Sequence, residues 1–190
     1  LPLAFQSSPS PGAETILVDF SGKHPAASAR PSGSWNVISS GAEGHRQALL
    51  DSSGNPTAVT LEVADDFLEG IGSYHDNAWS DKALPWVDEE VLKGLFWVSS
   101  SNPKGRITLS GLDNNSSYAL EVVASRNKAG APLTADYCVQ GRFTENSRFF
   151  HAHDNGHVKH DAMVWKDVTP TAGKIVLDVA LTGDFGYLNA

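Results

Sequence analysis

Apolar residues recur at every second position through much of this chain. The clearest run is ITLSGLDNNSSYALEVVASR, residues 107–126, where Ile107, Leu109 and Leu112 are followed by Tyr118, Leu120, Val122 and Ala124. Period two with β-branched and aromatic residues in one phase predicts strands with one buried and one wet face. The polar, glycine-containing stretch between the two halves predicts a hairpin over 106–126. The same signal predicts strands over 15–20, 57–64, 136–143, 162–168 and 173–181, with shorter apolar segments at 35–39, 47–51 and 96–100. Turn signals such as SSGNP (52–56) and TPTAG (169–173) separate them. Residues 21–34 and 127–134 read as loops, and 144–160 as a polar, His-rich stretch. Residues 65–94 hold aromatics, Gly, Asp and His with no clean period, which predicts a long loop with a helical turn at 88–93. A loop of that length in a compact domain is usually functional or poorly ordered. Helical periodicity is nearly absent, so the expected class is all-β, an antiparallel β-sandwich in preference to a small barrel.

Length and composition narrow this picture. A chain of 190 residues with 41% apolar residues can bury one sizeable core. We read residues 14–190 as a single sandwich domain and 1–13 (LPLAFQSSPSPGA) as a linker or a processed N-terminus. A tether ahead of a domain suggests a module of a larger, exported protein, secreted or at the cell surface. The net charge of −8, with no Lys/Arg cluster, argues against a surface that tracks phosphates, so nucleic acid is not an expected partner. No run approaches the ~18 apolar residues that span a bilayer, so membrane insertion is not expected. The lone Cys138 excludes an intrachain disulfide, and its place in the alternating run DYCVQG predicts a small hydrophobe in the core. Trp35, Trp97 and Trp165 lie in strand-like runs and are also expected in the core.

The order of segments resembles the galactose-binding-domain-like β-sandwich, a jelly roll found beside bacterial secreted hydrolases. The segments that carry the resemblance are ILVDF (16–20), WNVIS (35–39), LLDSSGNPTAVTLEV (49–63), ITLSGLDNNSSYALEVVASR (107–126), DYCVQG (136–141), VTPTAGKIVLDV (168–179) and GYLNA (186–190). They span nearly the whole chain but are strand-and-turn signatures, not site motifs. SGLDNNSSYALEVVAS also resembles a fibronectin type III strand pair; the even strand signal along the chain favours one larger sandwich. The galactose-binding-like resemblance implies a sugar-binding accessory module, commonly with a structural calcium ion. Fold alone does not fix function.

Three residue sets carry candidate chemistry. The first is Tyr74, His75, Asp76, Asn77, Trp79, Asp81 and Trp86 within the long loop. Indole and phenol faces stack on the C–H faces of sugar rings, and neighbouring Asp, Asn and His can bond the hydroxyls. The plainer reading is that Trp86, beside Leu84 and Val87, plugs one end of the sandwich. The second set is His151, His153, Asp154, His157 and His160. Clustered imidazoles can hold zinc or another divalent metal, although a solvated loop whose His residues happen to cluster is the plainer reading. The HAHDNGH string is similar to the HxHxDH motif of metallo-β-lactamases, with the Asp misplaced and no other element of that fold. The third set is carboxylates that could bind calcium: Asp65, Asp66 and Glu69 as one acidic knot, and Asp19, Asp178 and Asp184 as residues a sandwich can bring together. Solvated surface carboxylates are the alternative. Asp184-Phe185-Gly186 spells a kinase triplet without its companion motifs, and no G-x-S-x-G elbow is present.

The expected function is therefore a non-catalytic carbohydrate-binding module that binds a polysaccharide or oligosaccharide through loop aromatics. Two alternatives stay open. One is a structural or protein-interaction module of a surface protein. The other is a small β-sandwich enzyme, a metal-dependent hydrolase or polysaccharide lyase, using the His-rich loop.

Overall fold

The computed structural model describes residues 14–22, 34–71, 91, 94–124, 134–142, 146–151, 153–154, 157–158 and 162–190, with backbone alone at 71, 146–151, 153–154 and 157–158. The strands in chain order are β1 (Leu17–Asp19), β2 (Trp35–Val37), β3 (Arg46–Leu50), β4 (Pro56–Asp65), β5 (Leu68–Ile71), β6 (Gly94–Ser99), β7 (Lys104–Ser110) and β8 (Tyr118–Val123). They continue with β9 (Thr134–Gln140), β10 (Asn146–His151), β11 (His153–Asp154), β12 (His157–Val158), β13 (Ala162–Val168), β14 (Lys174–Leu181) and β15 (Phe185–Leu188). One layer is a six-stranded antiparallel sheet in the order β10-β9-β14-β7-β4-β3. Facing it are the ribbon β13-β8, the three-stranded sheet β15-β6-β5 and the parallel pair β1-β2. The fold is an antiparallel all-β sandwich, as the alternation predicted.

The core follows from that alternation. In β14, Ile175, Leu177 and Val179 are buried, while the residues between them are more exposed. Their neighbours across the ladder, Ile107 on β7 and Tyr137 and Val139 on β9, are buried too. Phe96, Val98, Val122, Met163, Trp165 and Leu188 from the facing layer join the same cluster. The other face of the six-stranded sheet is polar and charge-paired: Arg106 forks onto Asp178 at 2.6 and 3.1 Å, and Arg46 meets Glu62 at 2.8 Å. Tyr137 crosses between the layers, and its hydroxyl bonds both the carbonyl and the N–H of Tyr187, which fixes β15 over β9.

Four expectations change. The stretch 106–126 is not a hairpin: β7 pairs with β14 and β4, and β8 pairs with β13 in the opposite layer. Gly111, at φ 83°, starts that crossing, and a Cβ there would lie 2.0 Å from the Ala58 carbonyl oxygen. Cys138 is half-buried on the outer face, opposite Asp178, because Tyr137 and Val139 take the inward phase of β9. Part of the supposed loop 65–94 is the strand β5. Of the helical turn expected at 88–93, only Val91 is described; it is buried and in 3-10 conformation. Of the three strand tryptophans, Trp165 is in the core, whereas Trp35 and Trp97 are half-buried.

Gly105 shows how tightly the layers meet. A Cβ at this inward position would fall 2.4 Å from Cε1 of Phe67, whose ring stacks on Phe96 at 5.6 Å. Gly105→Ala is therefore expected to lower stability by ~1–3 kcal/mol through overpacking, read as a drop in the urea midpoint. Adding Phe67→Leu should recover part of the loss. A Gly105→Ala variant as stable as wild type would mean that the ring moves aside freely.

Candidate functional site

The strand β6 is apolar in both phases. Phe96 and Val98 point into the main core, which leaves Leu95 and Trp97 on the outward face. An outward face of an antiparallel sandwich is normally wet and polar. Here it is aromatic. Register places Tyr187 of β15 and Leu68 of β5 on either side of Trp97. Leu95 and Tyr187 are buried in a second small cluster, with Trp97 and Phe185 packed half-exposed against them. The Trp97 and Phe185 rings are tilted with centroids 5.5 Å apart, and Phe185 stacks on Tyr187 at 6.3 Å. Gly70 flanks the indole; a Cβ there would lie 3.3 Å from Trp97 Nε1, so glycine keeps that edge of the ring open. Among the described residues no acceptor bonds Nε1.

This face stands at the root of the long connection 72–93, which leaves the framework after Ile71 and returns at Gly94, its register partner. The root is clamped by backbone. A Cβ at Gly94 would fall 2.4 Å from Ser21 Cα, and Asn189 Nδ2 donates to the Gly94 carbonyl at 3.1 Å. Gly22 in turn sits against the Leu95 carbonyl and Gly70 N–H. The connections 23–33 and 72–93 thus start side by side. Residues Tyr74, His75, Asp76, Asn77, Trp79, Asp81 and Trp86, expected to bind ligand, lie outside the described residues.

The expected metal ligands are placed as follows. His151 ends β10, opposite Thr134. His153 pairs with Val158, and Asp154 with His157, in the two-residue ribbon β11-β12. His160 lies outside the described residues. Asp178 is held by Arg106 and by Gln140 Nε2 at 2.6 Å, so protein donors already engage both its oxygens. Asp184 is exposed in the β14–β15 turn. Asp66 accepts from the Glu43 N–H, and Glu69 Oε1 accepts from the Gly41 N–H at 2.7 Å and the Ser40 hydroxyl at 3.3 Å. These two carboxylates tie down the 40–43 turn. Among the described residues, no three His, Cys, Asp or Glu side chains gather as a cation site. No helix among them is long and apolar enough to cross a membrane.

Asp19 is the electrostatic exception. It is 2% exposed, its Oδ1 has no hydrogen-bond partner among the described residues, and burial pushes its carboxyl up to about 7. Nothing in ILVDF signals this, because the segment reads as an ordinary strand end. The outward aromatic face was signalled by the run GLFWV: apolar residues in both phases mark a strand covered on both sides. No protein-family model, curated protein or solved structure matches the chain.

Proposed function

We propose that this chain is a non-catalytic carbohydrate-binding module, and that its sugar platform is the outward face of β5, β6 and β15. The observation that carries this reading is the half-exposed Trp97–Phe185 pair, held on strands and flanked by Gly70. A sugar ring stacks on such a surface through its C–H face, and a rigid ring loses little conformational freedom on binding. The ligand role of Tyr74, His75, Asp76, Asn77, Trp79, Asp81 and Trp86 belongs to the same proposal and rests on the sequence. The galactose-binding-like jelly roll and a structural calcium belong to the same proposal and rest on the resemblance; the exported location and the tether to a larger protein belong to it too and rest on the Ser/Pro-rich stretch 7–11.

Affinity electrophoresis and calorimetry against a polysaccharide panel test it. Trp97→Ala is expected to weaken glycan binding about tenfold or more, equivalent to ~1.4 kcal/mol or above, while Trp97→Phe retains part of it. Arg46→Ala, on the far sheet, should bind as wild type does. No glycan bound by the wild type, or equal affinity in Trp97→Ala, would sink the reading.

A further inference from the structure

The turn that carries the chain from β7 to β8 reads Asp113-Asn114-Asn115-Ser116-Ser117. It holds two overlapping Asn-x-Ser triplets, Asn114 with Ser116 and Asn115 with Ser117. Elsewhere in the sequence only Asn55 has Ser or Thr two residues on, and the intervening Pro56 disqualifies it. Such a triplet on an exposed turn is an acceptor for N-linked oligosaccharide. Here Asp113, Asn114, Asn115 and Ser117 are exposed, and Ser116 is half-buried. The Ser116 N–H donates to the Asp113 carbonyl at 3.1 Å and closes the turn.

The geometry separates the two triplets. Both halves of the first are committed to the fold. Asn114 Oδ1 accepts from the Gly173 N–H at 2.7 Å, and the Ser116 hydroxyl donates to Asp113 Oδ2 at 2.9 Å. The Asn114 carboxamide thus ties this turn to the one before β14. Both halves of the second triplet are loosely held. Asn115 Nδ2 donates to Asp113 Oδ1 at 3.3 Å on the surface, where water replaces such a bond at little cost. The Asn115 backbone N–H donates to the same oxygen at 3.0 Å and keeps the turn in shape when the side chain swings out. The Ser117 hydroxyl meets Asp167 Oδ1 at 3.5 Å, the outer limit of a hydrogen bond, which leaves it able to bond an enzyme. Asp113 also stands two residues before Asn115, the acidic position that some transferases demand, whereas Leu112 holds that position before Asn114.

We propose that Asn115 is an N-glycosylation site, with Ser117 as the hydroxyl that the transferase reads. The donor is an oligosaccharide carried on a lipid diphosphate. Asn115 Nδ2 attacks the anomeric carbon of its first sugar. The N–C bond forms as the C–O bond to phosphate breaks, and the lipid diphosphate leaves with that bonding pair. The amide gives up one proton to a base of the transferase, and nothing is oxidised or reduced. The attached sugar would project into solvent, because the Asn115 side chain is exposed and the core does not use it. Such transfer takes place on exported chains, in keeping with the exported location proposed above.

The test incubates the folded full chain with a purified single-subunit oligosaccharyltransferase and a lipid-linked oligosaccharide. Intact mass is read after denaturation, which strips any saccharide merely bound, and peptide fragmentation locates the glycan without any protein variant. A single glycan is expected, on Asn115. Asn115→Gln and Ser117→Ala should abolish it, and Ser117→Thr should keep it. Asn114→Gln and Ser116→Ala should leave it in place. Thermal midpoints of the Asn115 and Ser117 variants should stay near wild type, since both side chains are exposed. Absence of transfer, or transfer to Asn114 instead, overturns the proposal. So does transfer that occurs only to the urea-unfolded chain, which would mean that the folded turn does not present Asn115. None of these outcomes depends on whether Trp97 binds glycan.

Discussion

Asp19→Asn should stabilise the protein at pH 8 by ~2–3 kcal/mol and give no gain at pH 4. The carboxyl is 2% exposed, and burial raises it from 3.8 to about 7, with no cationic partner among the described residues to offset the cost of charging it. An acid whose folded value lies above its unfolded value binds its proton more tightly in the folded state. Stability is then greatest below about pH 4, falls as the pH rises through the interval to about 7, and is flat above it. About three units at ~1.4 kcal/mol each set an upper bound of ~4 kcal/mol on the loss. Asn keeps the shape and never charges, but its buried amide lacks a partner among the described residues, which returns ~1 kcal/mol or more. Urea midpoints for both proteins at pH 4, 6 and 8 decide the matter. Parallel pH profiles would mean that Asp19 ionises in the folded protein at no cost.

Strand positions were readable because alternation reports which side chains share a face, and that is set by local geometry. Partner choice was not readable. The residues Ile107, Leu109, Tyr118, Leu120 and Val122 alternate identically whether β7 and β8 form a hairpin or face each other across the core. What decides is the bend at Gly111 against Ala58, a contact between residues far apart in sequence. Phase was ambiguous where both candidates were apolar, and in β9 the larger Tyr137 and Val139 displaced Cys138 to the outer face. β5 escaped notice because Leu68-Glu69-Gly70-Ile71 has no clean pattern; its strand form comes from pairing with β6 and from Glu69 holding the 40–43 turn. The aromatic platform was half-legible. GLFWV declares a strand apolar on both faces, but only the fold reveals that Phe185 lies beside Trp97. Asp19 could not be read as unusual, since its burial depends on what the fold lays over it.

Trp165→Ala is expected to cost ~3–5 kcal/mol, and no other core truncation should cost more. Trp165 is 1% exposed and heads the fully buried side chains by volume. Its position makes the loss local before it is global. The ribbon β8-β13 connects to the rest of its layer through the bonds of Val123 with Asn189 and Ala190, and its register is broken between Trp165 and Val168. A two-stranded ribbon is marginal on its own, so packing must hold it down. Trp165, with Met163 and Val122, supplies that packing against the six-stranded sheet. Amide exchange should therefore show β8 and β13 opening at lower free energy than β7 and β14 in the wild type, and the gap should widen in Trp165→Ala. Equal protection of the two layers, with an equal decline in the variant, would show that the ribbon and the sheet unfold as one unit.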